Sequence, residues 1–158
     1  MPAASAPPAS HYRVLRLGPL HCDVAKRMFA VMAEGFDEEH EELSSEYVDK
    51  LLARDDFWAV AALEGEEVVG GLTAHTLLMT REEAREIFIY DIAVHPQQQR
   101  KGIGTLLMRH LLELGAEAGI GDVFVPADNA DPHALDFYRA VGGTAVPVTF
   151  FTFSRDSA

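Results

Sequence analysis

Two neighbouring features of this 158-residue chain could do chemistry: a carboxylate set in an apolar run, and a glycine-bearing basic loop just after it. The run is FIYDIAVHP, from Phe88 to Pro96, with Asp91 inside it. A carboxylate there is poorly placed in a buried strand unless it faces a cleft, where it could take a proton from an amine or hold a cation. An isolated Asp titrates at about 3.9, so taking a proton from an ammonium requires a raised pKa or a water relay; otherwise Asp91 only anchors. The alternative is a structural Asp bonded to a loop. The loop is QRKGIG, from Gln99 to Gly104. Gln99, Arg100, Lys101, Gly102, Ile103 and Gly104 can turn several backbone N–H groups toward one point. The helix that follows, with Thr105 in its first turn, adds the positive end of its dipole. Arg100 and Lys101 add full charges, and together these groups suit a phosphate.

The spacing is neither a Walker loop, G-x-x-x-x-G-K-[ST], nor a dinucleotide fingerprint, G-x-G-x-x-G. It is Q-x-x-G-x-G after a strand ending in V-H-P, and it resembles the pyrophosphate-binding motif of the GNAT superfamily of acyl-CoA-dependent N-acyltransferases. That resemblance implies acetyl-CoA as cosubstrate, with its pyrophosphate in the loop. It also implies a strand before the loop that splays from its neighbour, so that backbone groups of Ile92, Ala93 and Val94 hold the pantetheine arm and polarise the thioester.

A second block agrees. DPHALDFY, from Asp131 to Tyr138, resembles the family segment N-x-x-A-x-x-F-Y, whose tyrosine often sits beside the coenzyme sulfur. Tyr138 would then protonate the departing thiolate, which a phenol of pKa about 10 is suited to do; a core ring with its hydroxyl at the surface is the alternative. Asp131 stands where many members carry Asn, and Asn129 is the residue that could make the missing contact to the coenzyme.

The blocks EIFIYDIAV (Glu86 to Val94) and VPAD (Val125 to Asp128), with the Asp131 segment, are similar to the aminoglycoside 3-N-acetyltransferases of the GNAT type. This implies direct transfer of an acetyl group to an aminoglycoside amine, the 3-amino group, and so antibiotic resistance. Asp91, Asp128, Asp131 and acids of the stretch Glu34 to Glu46, Asp37 among them, would line a cleft for the ammonium groups. Each acid also has a plainer reading, as a loop residue, a helix cap or a solvated charge. A polyamine, another small amine or a protein amine would suit the same cleft. A coenzyme-binding module without turnover is the alternative of a different class.

These residues need elements to position them. Tyr12 to Leu17 reads as a strand. An amphipathic helix carrying Val24, Met28, Phe29 and Met32 follows and stops at Gly35, and a second, capped by Ser44 or Ser45, carries Tyr47, Val48, Leu51 and Leu52. Phe57 to Leu63 and Val68 to Leu78 read as a hairpin, with Gly70 and Gly71 marking a bulge or a close backbone approach. A strand from Glu86 to Val94 leads to a helix from Arg100 to about Ala118. Asp122 to Ala127 is a strand, Pro132 to Val141 a helix, and Thr144 to Phe153 a last strand or strand pair broken near Pro147. The order predicts a mixed α+β fold around one twisted, largely antiparallel sheet flanked by helices, as in the GNAT fold.

Composition sets the outer bounds. The length suits a single domain over 11–158, after a disordered leader over residues 1–10 rich in Pro, Ala and Ser. Thirteen Lys and Arg against twenty-five Asp and Glu leave a net charge of −12, which argues against nucleic acid and anionic membranes and for a cationic partner. The single cysteine, Cys22, rules out an internal disulfide. The absence of a Cys/His ligand cluster speaks against a metal, and a reducing cytoplasm fits. No run approaches the roughly 18 apolar residues of a membrane span. Family resemblance adds a possible homodimer through C-terminal strands.

Overall fold

The strand FWAVAALE, β2 (Phe57–Glu64), is buried at every position but its last, the mark of a strand covered on both faces. It sits second in a five-stranded sheet of order β1-β2-β3-β4-β5, whose other members are β1 (Tyr12–Arg16), β3 (Glu67–Leu78), β4 (Arg85–Val94) and β5 (Asp122–Phe124). The first three pairings are antiparallel and the β4–β5 pairing is parallel, as the reading of a largely antiparallel sheet requires. The computed structural model describes residues 11–156, so the expected leader over residues 1–10 lies outside them. Among the described residues no helix is long and apolar enough to cross a membrane.

Helices cover both faces of the sheet. On one lie α1 (Cys22–Gly35) and α2 (Ser45–Leu52), whose Ala25, Met28, Met32, Val48 and Leu52 share a core with Phe57, Ala59, Ala61 and Ala93. The other carries α3 (Ile103–Glu117), with Ile103, Leu107 and Leu111 fully buried. Gly70 and Gly71 serve the two faces in turn. A Cβ at Gly71 would run into Met28 of α1, and one at Gly70 would meet Ile103 of α3 at 3.2 Å. The close approach is therefore realised at both glycines, while the bulge falls beside them, at Val69, where the β2–β3 register slips.

Boundaries shift in two places. α3 begins at Ile103 rather than Arg100, because Arg100 and Gly102 both take left-handed backbone, with φ of 66° and 84°. β5 ends at Phe124 rather than Ala127, because its partner β4 leaves it there.

The chain falls into two compact units divided after Pro126. The second contains α4 (Pro132–Ala140), capped by the Asp131 carboxylate, which accepts from the Ala134 N–H at 3.1 Å. The last strand expected over Thr144 to Phe153 is absent: no ladder among the described residues includes this segment, and a strand exists only through its partner. Its Val146, Val148, Phe150, Phe151 and Phe153 are exposed.

Candidate functional site

The divergence of β4 from β5 makes the site. Only Glu86, Ile87 and Phe88 pair with β5, so from Ile89 to Val94 the edge of β4 away from β3 has no strand beside it among the described residues. The antiparallel register decides which backbone groups face that opening. The His95 N–H donates to the Val69 carbonyl at 2.8 Å, which makes Val94 and Gly70 a non-hydrogen-bonded pair and Ala93 and Gly71 a hydrogen-bonded one. The N–H and C=O of Ile92 and Val94 therefore turn to the open side, and those of Ala93 turn to β3. The Val94 carbonyl already accepts from the Gln99 side-chain amide at 3.2 Å, which ties the Gln99 to Gly104 loop to the strand end.

That loop is held by its own residues. The His95 Nδ1 accepts from the Gln97 N–H at 3.1 Å and caps a 3-10 turn over Pro96–Gln98, while its Nε2 lies 3.2 Å from the Glu34 carboxylate. The Lys101 ammonium donates to the Gln98 side-chain carbonyl at 3.1 Å, and Arg100 is exposed. The Leu106 N–H is the first to bond back within α3, to the Gly102 carbonyl. The N–H groups of Ile103, Gly104 and Thr105 thus remain at the helix start, free of intrahelical partners and ready for an anion.

Asp91 reaches its position through an irregularity. In the β3–β4 ladder Thr73 pairs with Asp91 and Ala74 with Ile89, so Tyr90 is an extra residue, a β-bulge. Side-chain contacts record the resulting change of face: Ile87 lies against Gly115 of α3, whereas Ala93 lies against Gly35 of α1. In a regular strand both would share one side. The bulge therefore turns Asp91, with Ala93, onto the α1 face. There burial, and then the Glu38 carboxylate, push the Asp91 pKa up from its ordinary value, the direction a proton acceptor at this site needs.

α1 ends directly over the end of β4. A Cβ at Gly35 would stand 2.8 Å from the Val94 carbonyl oxygen, so only glycine allows this approach. The next residues turn back through the Asp37 N–H to Glu34 and the Glu38 N–H to Ala33. Asp37 is exposed, with φ of 55°, and it is Glu38 whose charge reaches Asp91. Sequence reasoning passed over Glu38, one of seven acids in its stretch, because nothing local distinguishes it.

An aromatic row was also overlooked. Phe57 pairs with His75, His75 with Phe88, and Phe88 with Phe124, in register across four strands. The Tyr90 ring stands 6.1 Å from His75 and 6.0 Å from Phe88, edge-on to both. Phe88 and Tyr90 stand out in the sequence, but only strand register could align them with the others.

In the second unit, the Asp128 carboxylate accepts from the Ala130 N–H at 2.8 Å, closing a turn around Asn129, and Asp131 caps α4. Tyr138 lies on α4 with its ring 5.2 Å from Phe137, and its carbonyl accepts from the Gly143 N–H.

Known proteins share this architecture. The pattern of the Acetyltransferase (GNAT) family matches residues 25–142. Streptothricin acetyltransferase of Streptomyces lavendulae is 36% identical over 58 residues, 37% of this chain and 31% of that protein. The chain thus spans about a third of that relative's length. An aminoglycoside acetyltransferase from an uncultured soil metagenomic sample, solved in complex with sisomicin, superposes with a TM-score of 0.87 at 30% identity, covering 91% of this chain and 96% of that one. A second from such a sample gives a TM-score of 0.84 at 34% identity, covering 90% and 98%.

Proposed function

The chain belongs to the GNAT acetyltransferase family, and from that membership and the geometry of β4 we propose that it is an acetyl-CoA-dependent N-acetyltransferase acting on an aminoglycoside. The acceptor in this reading is the 3-amino group, acetylated by direct transfer. One observation carries it above the rest: the Tyr90 bulge sets Asp91 on the α1 face at the strand edge that β5 leaves open. Aminoglycoside acetyltransferases at 30% and 34% identity support the choice of acceptor, as does a net charge of −12.

The chemistry proposed is a single displacement. The neutral amine nitrogen attacks the thioester carbonyl, forming the C–N bond, and the C–S bond breaks as the tetrahedral oxyanion collapses. The amine proton passes to Asp91, whose raised pKa improves it as an acceptor. The outward backbone groups of Ile92 and Val94 hold the pantetheine arm and polarise the carbonyl. The loop from Gln99 to Gly104, with Thr105, holds the pyrophosphate. By family resemblance, Tyr138 returns a proton to the thiolate, Asn129 contacts the coenzyme, and Asp128 and Asp131 hold ammonium groups. We further read the protein as cytoplasmic, with its one cysteine a free thiol, and as a homodimer that covers the exposed Val146, Val148, Phe150, Phe151 and Phe153.

The test is CoA-thiol release from acetyl-CoA with gentamicin, sisomicin, kanamycin and spermidine as separate acceptors, the acetylated position being read by NMR. Turnover on gentamicin at the 3-amine is the expected result. Release with spermidine alone would give the enzyme to polyamines, and release with no acceptor would count against turnover altogether.

A further inference from the structure

The aromatic row on the α1 face runs from a buried end to an exposed one. Phe57 is 6% exposed and sits in the core beneath α1, whereas Phe124 is 44% and Tyr90 62% exposed at the β5 side of the sheet. The exposed rings are not loose. Phe88 packs on Phe124 at 5.1 Å with the planes tilted by 32°, and Tyr90 stands edge-on to Phe88 at 84°. Behind them His75 lies 5.4 Å from Phe57, so each ring is braced by the next. Exposed aromatic area held rigidly by buried aromatic area is a preformed binding surface, since little side-chain freedom remains to be lost when a ligand arrives.

The neighbours decide what it binds. Asp91 follows Tyr90 on the same face, and the Glu38 carboxylate acts on Asp91 from the end of α1. Ring faces beside two acids suit a ligand that combines apolar ring faces with ammonium groups. Amino sugars do so: one face of a pyranose is lined by C–H bonds that pack against a ring face, a surface a linear polyamine lacks.

We propose that Tyr90, Phe88 and Phe124 form a shelf against which an amino-sugar ring of the acceptor stacks while Asp91 and Glu38 hold its ammonium groups. The shelf makes the site selective for cyclic over linear polyamines. This deepens the aminoglycoside reading and rests on it for the ligand class.

Tyr90→Leu and Phe124→Leu test it, because leucine keeps apolar area and removes the ring. Sisomicin and spermidine are the probes, with affinity read by calorimetry and the bound ring protons of sisomicin by saturation-transfer NMR. Each variant should weaken sisomicin about tenfold, with spermidine and acetyl-CoA changed by no more than about twofold. Unchanged sisomicin affinity in both variants would overturn the shelf. So would an equal loss for spermidine, or an altered oligomeric state with sisomicin affinity intact, which would assign the rings to a second copy. Sisomicin binding that depends on the rings without any CoA release would sink the transferase reading and keep the shelf. CoA release undiminished in both variants at sisomicin concentrations well below KM would do the reverse, and a wild-type protein that does not bind sisomicin would overturn both.

Discussion

Tyr90 and Asp91 are consecutive in the chain and lie on the same face of the sheet, where a regular strand would send them to opposite faces. The extra residue at Tyr90 moves Asp91 off the α3 side, where Ile87 packs, and brings it under the end of α1 beside Glu38. It also accompanies the loss of β5 as a partner, since the β4–β5 pairing ends at Phe88. One irregularity thus presents a carboxylate beside the strand edge that β5 leaves open.

Replacing Asp91 with Asn should lower turnover at least about tenfold while leaving acetyl-CoA affinity intact, as positioned acid–base groups contribute on the order of 10² to 10⁴. Near-normal rates would remove Asp91 from catalysis. The same variant makes a stability prediction. Because the folded pKa of Asp91 is raised above 3.8, its stabilising contribution is fully present below that value and lost as pH rises through the folded pKa. Asp91→Asn should therefore raise the thermal midpoint at neutral pH, with the advantage vanishing below pH 3.8. A midpoint difference independent of pH would contradict this.

Gly102 takes φ of +84° with open space around its missing Cβ, so substitution there is penalised by backbone conformation and not by a clash. Gly102→Ala should cost about 1 kcal/mol of stability. Gly102→Val, with its branched side chain, should cost more and cripple acetyl-CoA binding. Isothermal titration with acetyl-CoA checks this, and unchanged affinity in both variants would mean that the loop holds no phosphate.

The opposite kind of glycine is Gly35, whose added Cβ would meet a backbone oxygen that cannot rotate aside. We expect Gly35→Ala to cost about 1–3 kcal/mol in denaturant unfolding and to raise the KM for the amine, because it lifts the end of α1 from β4. Gly18→Ala, with nothing closer than 4.0 Å, is the control and should stay within about 0.5 kcal/mol. Equal effects at the two positions would show that the close approach is unimportant.

If acids hold the acceptor, salt should weaken its binding. Between ionic strengths of about 0.01 and about 0.1 M the Debye length shrinks from about 30 to about 10 Å, and the KM for an aminoglycoside should rise severalfold over that range. Steady-state rates at saturating acetyl-CoA measure it. A KM indifferent to salt would take the acidic stretch and the aspartates out of recognition.

Local pattern was enough for much of this. Q-x-x-G-x-G after a V-H-P strand end marked the loop, a cap at Ser44 or Ser45 and one at Asp131 were legible, and apolar periodicity placed α1, α2 and α3 to within a few residues. The expected C-terminal strand failed for a reason local pattern does not contain. Residues 144–153 have strand composition, but a strand needs a partner, and no described residue supplies one.

Sequence by itself determined the family, a glycine-bearing basic loop at a helix start and the presence of a carboxylate in an apolar strand, because these depend on residue types at short, fixed spacings. Only the tertiary structure decided which face Asp91 occupies, which of the seven acids from Glu34 to Glu46 acts on it, and that Phe57, His75, Phe88 and Phe124 align. Those outcomes depend on register. One extra residue in β4 reverses every side chain after it, and neither strand records in its own residues where the other will slip.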